Sequence, residues 1–330
     1  MTIRNLENAV HPKSLAVFGA SVREGSVGRV VMQNIVDAGF QGEIWPVNPK
    51  YDEVAGRRCY ADVADLPGIP DLGVIATPPA TVPGIIGDLG ARGTRAAVVI
   101  TAGLTHENGL RQAMLEAARP YLFRIIGPNT LGLMIPPARL NAGFAHMAAR
   151  PGNIALLSQS GAIATSLIDW AAENHLGFSH IVSLGDMADV DVGDWLDMLA
   201  GDARTSAIVM YLETIPNPRK FMSAARAAAR LKPVIAIKSG RHEAAAKAAA
   251  THTGALSGAD RVADAALQRA GILRVKSLAE LFDAAETTAR FAPLERARVA
   301  IVTNGGGAGV LAVDQLVDCR GELAVLADTT

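Results

Sequence analysis

The chain has 330 residues, half of them hydrophobic, which is enough for two or three domains with buried cores. Its 31 basic and 32 acidic residues nearly cancel and only 5% of residues are aromatic, which argues against a nucleic-acid partner held by phosphate neutralisation or base stacking. Cys59 and Cys319 form neither a disulfide framework nor a metal spacing, the first ten residues lack a secretory core, and no apolar run approaches the roughly 20 residues that span a bilayer. A cytoplasmic protein with no metal site and no membrane partner is expected.

Short apolar runs recur along the chain, each followed by a glycine-bearing turn and an alanine-rich helical pattern. The first five are "SLAVFGAS" (14–21), "GEIWPVNP" (42–49), "LGVIATPP" (72–79), "AAVVITAG" (96–103) and "FRIIGPN" (123–129). Four more follow: "NIALLSQSG" (153–161), "HIVSLGD" (180–186), "AIVMYLET" (207–214) and "PVIAIKSG" (233–240), with a last one, "RVAIVTNGGG", at 298–307. Strands that are apolar on both faces and alternate with helices predict an α/β fold with parallel sheets. The grouping predicts a first domain over 1–135, a link through "IPPARLNAGFAHMAARPG", a second domain over 150–292 and the start of a third α/β unit over 296–330. "ALLSQSGAIA" and "IVTNGGGAGV" echo one another, Ser158 matching Thr303 and Gln159 matching Asn304, as two units of one type would.

The first strand–turn–helix carries Gly19, Ala20 and Ser21, with Gly28 at the helix that follows. Such a turn offers N–H groups and a positive dipole end to a phosphate. A dinucleotide fingerprint needs a second glycine where Ser21 stands, and an acid at the end of the second strand, where Asn48, Pro49 and Lys50 stand. An amide followed by a cation suits a phosphorylated ribose, as in NADP or coenzyme A. The third strand ends in Thr77 and Pro78, a stiff ledge beside the ligand cleft.

In the second domain, Ser158, Gln159, Ser160 and Gly161 lead from a strand into a helix, so two hydroxyls and unpaired helix N–H groups converge. No lysine belongs to this loop, which excludes a Walker loop; the plain alternative is that Ser160 only caps the helix. Glu213 ends a buried strand, where a carboxylate could orient an imidazole and raise its nucleophilicity. His252 stands in "THTGALSG", a stretch of small residues suited to presenting the ring to a phosphate held at 158–161. The other six histidines read as surface residues.

The order "GAS…NPK…TPP…ITAG…GPN…SQSG…SLGD…ET…THTGALSG" resembles the NDP-forming acyl-CoA synthetases, the superfamily that includes the succinyl-CoA synthetase α subunit. The resemblance covers essentially the whole chain. It implies a Rossmann-like CoA-binding domain followed by flavodoxin-like ligase domains. It also implies an acid–thiol ligase that converts acyl-CoA, ADP and phosphate to acid, ATP and CoA through an acyl phosphate. On this resemblance His252 is the phosphohistidine, Glu213 its supporting acid, and Ser158, Gln159, Ser160 and Gly161 the phosphate site. The CoA site falls on Gly19, Ala20, Ser21, Gly28, Asn48, Pro49, Lys50, Thr77 and Pro78, with Asn129 beside the thioester.

The resemblance further implies an oligomer with an ATP-grasp domain or subunit that holds ATP or ADP with Mg²⁺, and a small carboxylic acid or its acyl-CoA as substrate. No ATP-grasp module is visible in the chain, and one strand cannot make the third unit an independent core. Two other readings remain. One is a CoA-sensing regulatory module like that attached to some protein acetyltransferases, and the other an NADP-dependent oxidoreductase, for which no nicotinamide pocket is visible.

Overall fold

The computed structural model describes residues 3–242, 245, 260–291 and 298–327, in two units that divide after Arg290. His252 and most of the run "EAAAKAAA" before it lie outside the described residues. Among the described residues no helix is long and apolar enough to cross a membrane.

The first sheet has five parallel strands: β1 (Ser14–Phe18), β2 (Glu43–Val47), β3 (Leu72–Ile75), β4 (Ala96–Val99) and β5 (Arg124–Ile126). β1, β3 and β4 are buried at every position, which explains why they read as unbroken apolar runs rather than alternating ones. The spatial order is β2-β1-β3-β4-β5. The direction of winding therefore reverses between β1 and β3, and a doubly wound sheet binds ligands at the carboxyl ends of the strands on either side of such a reversal. Those ends carry Gly19–Ser21 and Ala76–Pro78.

Helices α1 (Glu7–Val10), α2 (Val27–Asp37), α3 (Val82–Arg92) and α4 (Leu110–Ala118) belong to this part of the chain. α2 buries Gly28, Val31, Met32 and Ile35, one stripe at helical spacing. Gly28 is required by packing: a Cβ there would lie 1.8 Å from the carbonyl oxygen of Gly19. The helix start can approach the β1 turn only because that atom is missing.

The second sheet holds seven strands: β6 (Gly132–Ile135), β7 (Leu140–Gly143), β8 (Pro151–Ser158), β9 (Phe178–Ser183), β10 (Ala207–Leu212), β11 (Val234–Lys238) and β12 (Leu273–Val275). Their order is β12-β11-β10-β8-β9-β6-β7. Strands β8 to β12 are mutually parallel and, counted among themselves, repeat the winding of the first sheet. The second reversal lies between β8 and β10, which brings the ends at Ser158 and Leu212 side by side. Helices α5 (Gly161–Glu173), α6 (Val192–Ala200), α7 (Pro218–Leu231), α8 (Asp260–Ala270) and α9 (Leu278–Arg290) connect or flank these strands.

Two features differ from the sequence expectation. β6 and β7 form an antiparallel hairpin added to the edge of the second sheet at β9, although the sequence places β6 at the end of the first domain and β7 in the link. The change of sheet therefore falls between Ile126 and Gly132. Both strands are four residues long and flank "PPAR", so they look like loop, and β6 finds its partner β9 only far downstream. β12 is a further unexpected strand, only three residues long. One continuous apolar core joins the sheets, with Leu15 and Val17 of β1 in the same cluster as Leu133 and Ile135 of β6 and Leu157 of β8.

The unit after Arg290 contains two parallel two-residue strands, β13 (Arg298–Val299) and β14 (Glu322–Leu323), around helix α10 (Gly306–Asp318), none of whose residues is buried. Its start repeats the local geometry of the β8 turn. Thr303 Oγ1 donates to Gly305 O (3.3 Å) and accepts from Gly305 N (3.0 Å), as Ser158 Oγ donates to Ser160 O (2.7 Å) and accepts from Ser160 N (3.2 Å). In each case the helix begins three residues after the hydroxyl.

His180 on β9 is 1% exposed, and its Nδ1 lies 3.6 Å from Asp202 Oδ2. Burial pushes its pKa from 6.5 down to about 4, against the upward pull of Asp202, with Arg204, His11 and Lys232 adding to the fall. The unfolded chain therefore binds this proton more readily than the folded one. The neutral ring contributes its full stability above pH 6.5, and that contribution, up to about 3 kcal/mol, is lost as pH falls toward 4. His180→Leu is expected to flatten the stability–pH curve in this window, which denaturant midpoints measured across it will show.

Candidate active site

The first crevice is shaped by backbone. Gly19 has φ +83°, and a Cβ there would lie 2.4 Å from Ala76 O, so the β1 turn can meet the β3 end only as glycine. Asn48 Nδ2 donates to Ala20 O (2.8 Å) while its Oδ1 accepts Lys50 N (3.0 Å), so this amide fixes the β1 and β2 turns against each other. Ser21 Oγ accepts Arg23 N (3.0 Å) and meets Tyr51 Oη at 3.3 Å. Pro49, Lys50 and Pro78 are exposed at the rim. Ser26 does not cap α2 through its side chain, whose Oγ donates instead to Arg23 O (2.7 Å).

At the second reversal the Gln159 side chain ties the β8 turn to the β10 end. Its Oε1 accepts the backbone N–H groups of Glu213 and Thr214, and its Nε2 donates to Thr214 Oγ1 (3.1 Å). Ser158 is fully buried and its hydroxyl is engaged within the turn. Ser160 does cap α5, its side chain accepting Ile163 N (3.3 Å), and Ser160 O accepts Ala164 N (3.1 Å). Of the four N–H groups that a helix start leaves without intrahelical partners, Ser160 N donates to Ser158 Oγ (3.2 Å) and Ile163 N to Ser160 Oγ, so those of Gly161 and Ala162 are the remaining two. Gly161 is not demanded by the backbone. It has no positive φ, and a Cβ there would touch only Leu131 Cβ, at 3.6 Å. The space that its missing side chain leaves belongs to a cavity.

That cavity, of about 650 Å³, joins the two halves of the site. Thr77 and Asn129 from the first set of expected residues line it together with Gln159, Ser160 and Gly161 from the second. Thr101 is a further wall residue; its Oγ1 donates to Thr77 O (2.8 Å) and its carbonyl accepts Asn129 N (3.0 Å). Asn129 Nδ2 reaches Asp186 Oδ1 (3.1 Å), which links the end of β5 to the loop after β9. Among the described lining residues none carries a charge. An anion at the start of α5 would be held by N–H and hydroxyl donors and a helix dipole, without a neutralising cation.

Glu213 is buried but is not among the residues lining this cavity; it meets the site through Gln159. Its carboxylate interacts with Tyr211. Burial pushes the Tyr211 hydroxyl up, a Ser239 hydrogen bond opposes this, and the charge and hydrogen bond of Glu213 raise it further. Lys238, buried at the end of β11, is pushed down by burial, pulled up by Asp260, lowered by Arg274 and raised by Glu213. His252, the expected acceptor, lies outside the described residues. Thr101, Leu131, Phe144 and Lys238 are not among the site residues expected from the sequence. Thr101 and Lys238 were legible as polar ends of apolar strands, whereas Leu131 and Phe144 carried no signal.

Residues 13–136 match the CoA binding domain family, and residues 151–288 match the succinyl-CoA ligase like flavodoxin domain family. The alpha subunit of the ADP-forming acetate–CoA ligase I of Pyrococcus furiosus is 40% identical over 94% of this chain and 69% of its own length. The chain belongs to the family of ADP-forming acetate–CoA ligase alpha subunits. Within the family, the acetate–CoA ligase [ADP-forming] of Methanocaldococcus jannaschii is 40% identical over 97% of this chain, which spans only 45% of that protein. The dinucleotide-forming acetyl-coenzyme A synthetase 1 of Ca. Korarchaeum cryptofilum, solved in complex with phosphate and ADP, superposes with a TM-score of 0.92 at 38% identity. The match covers 98% of this chain and 70% of that one. The family assignment agrees with the Rossmann-like and flavodoxin-like halves expected from the sequence.

Proposed function

We propose that this chain is the CoA-binding, phosphohistidine-carrying part of an ADP-forming acid–CoA ligase and that it works with an ATP-grasp partner. The supporting observation is the cavity that brings Thr77, Thr101 and Asn129 at the strand ends of the CoA-binding half to the capped start of α5. CoA would lie with its nucleotide over the Gly19–Ser21 turn, Gly28 keeping the helix close and Asn48, Pro49 and Lys50 at the ribose phosphate. Its thiol arm would pass Thr77 and Pro78 and end beside Asn129. The crevice is built from closely packed backbone, since Gly19 lets the β1 turn meet the β3 end and Gly28 lets α2 start against that turn.

Phosphate held by Gly161 and Ala162 N–H and by the Ser160 hydroxyl attacks the thioester carbonyl, the C–S bond breaks, and CoA leaves as thiolate. His252 then attacks phosphorus of the acyl phosphate, releasing the carboxylate. Glu213 accepts the other ring N–H, which fixes the tautomer. The ATP-grasp partner, holding ADP with Mg²⁺, takes the group from His252 and forms ATP. The substrate is a small carboxylic acid or its acyl-CoA, and the working assembly is a hetero-oligomer or a fusion.

Calorimetry on the full chain tests the first half of this reading. CoA is expected to bind at one site per chain and NADPH to bind far more weakly. Equal binding of the two, or none by CoA, would overturn it.

A further inference from the structure

The walls of the cavity are uneven. Most of its lining is alanine, glycine, hydroxyl or amide, and the bulky apolar side chains are Val27, Ile100, Leu131 and Phe144. Ile100 and Leu131 are buried, whereas Phe144 remains 37% exposed and is the one aromatic residue among the described lining residues. A phenylalanine that lines a cavity and stays partly open to water has apolar area to offer a ligand.

Its place is fixed from both sides. The Phe144 N–H donates to Leu131 O (3.0 Å), and Asn34 on α2 donates through Nδ2 to the carbonyls of both neighbours, Gly143 O (2.9 Å) and Ala145 O (3.0 Å). The backbone that carries the ring is thus gripped by a helix of the CoA-binding half and by the adjoining strand of the ligase half. Leu131, bonded to Phe144, lies within van der Waals reach of a Cβ built on Gly161. The wall of Leu131 and Phe144 therefore stands beside the helix start where the thioester carbonyl is attacked.

We propose that Phe144 sets the size of the acyl group, confining the site to short aliphatic acids and excluding aromatic ones. This rests on the CoA reading above. The acyl chain leaving the carbonyl at Gly161 runs toward Leu131 and Phe144, because Leu131 is the side chain that Gly161 itself adjoins and the two form an apolar part of the lining. Asn34 is a positioning residue that holds the backbone on either side of Phe144.

The test is calorimetry on the full chain, unaltered and as Phe144→Ala and Phe144→Leu, with free CoA, acetyl-CoA, butyryl-CoA and phenylacetyl-CoA. Free CoA is the reference within each protein, so the quantity read is the affinity of each acyl-CoA relative to CoA. In the unaltered chain acetyl-CoA is expected to be preferred to phenylacetyl-CoA. Phe144→Ala is expected to shift that preference toward phenylacetyl-CoA by about tenfold or more, with Phe144→Leu between the two. If Phe144→Ala does not fold, the Leu variant carries the test. Identical relative affinities in variant and unaltered protein would overturn the assignment of Phe144 while leaving CoA binding intact. Failure of free CoA to bind the unaltered chain would overturn the CoA reading, and this inference with it.

Discussion

Alanine in place of Gly161 is expected to make the protein slightly more stable and far less active. The two effects separate because the glycine answers to the ligand and not to the fold. Its φ is not positive, and a Cβ would meet only Leu131 at ordinary contact distance. Replacing a helical glycine removes backbone entropy from the unfolded chain, an effect of roughly 0.5–1 kcal/mol in favour of folding. The same methyl group projects into the space where an oxyanion would accept the Gly161 and Ala162 N–H groups. Losing or displacing one such donor slows acyl transfer by about 10²–10³-fold. Gly28→Ala is expected to destabilise the protein instead, since its Cβ would meet Gly19 O at 1.8 Å and the β1–α2 junction would have to open. Thermal unfolding beside phosphate-dependent turnover with an ATP-grasp partner separates the cases. Full activity in Gly161→Ala would remove the phosphate from the start of α5.

His252→Asn is expected to have the largest effect of any single change, a loss of phosphoryl transfer to ADP by at least about 10³-fold. Asparagine keeps a polar side chain of similar reach but cannot form the covalent phosphoramidate, so the route through the imidazole closes. Glu213→Gln should retain the buried shape while weakening the hold on one ring tautomer. Its effect on the rate is expected to be smaller, about 10–10²-fold, and accompanied by an altered pH–rate profile, which a merely structural role would not produce. Single-turnover transfer from labelled acyl phosphate, followed across pH for both variants, provides the measurement. Unimpaired transfer in His252→Asn would exclude the histidine route.

Much of this architecture could be read from the sequence. Parallel strands buried on both faces write themselves as runs such as "SLAVF" and "AIVMYL", and each strand end carried its turn chemistry in adjacent residues. The hairpin of β6 and β7 could not be read, because two short strands around "PPAR" acquire their identity only by pairing with β9. The candidate site was legible where local rules govern. Gly19, Ser160 and Asn48 are turn and cap residues whose types follow from backbone demands. Their roles shifted on folding: Asn48, Ser158 and Gln159 spend much of their hydrogen-bonding capacity holding turns together, and Glu213 reaches the site through Gln159. Phe144 left no trace in the sequence, because nothing local distinguishes it from a core phenylalanine. Its exposure depends on where two separate sheets meet.

The proposed function requires that this chain carry a phosphoryl group on one imidazole. The most direct measurement is to incubate the full chain with γ-labelled ATP, Mg²⁺ and an ATP-grasp partner from a related ligase, then locate the label by peptide mapping under alkaline conditions. The expected result is an acid-labile, base-stable phosphate on His252 that disappears on adding a carboxylic acid substrate and CoA. A folded, partner-bound chain that takes up no label, or takes it up on another residue, would contradict it.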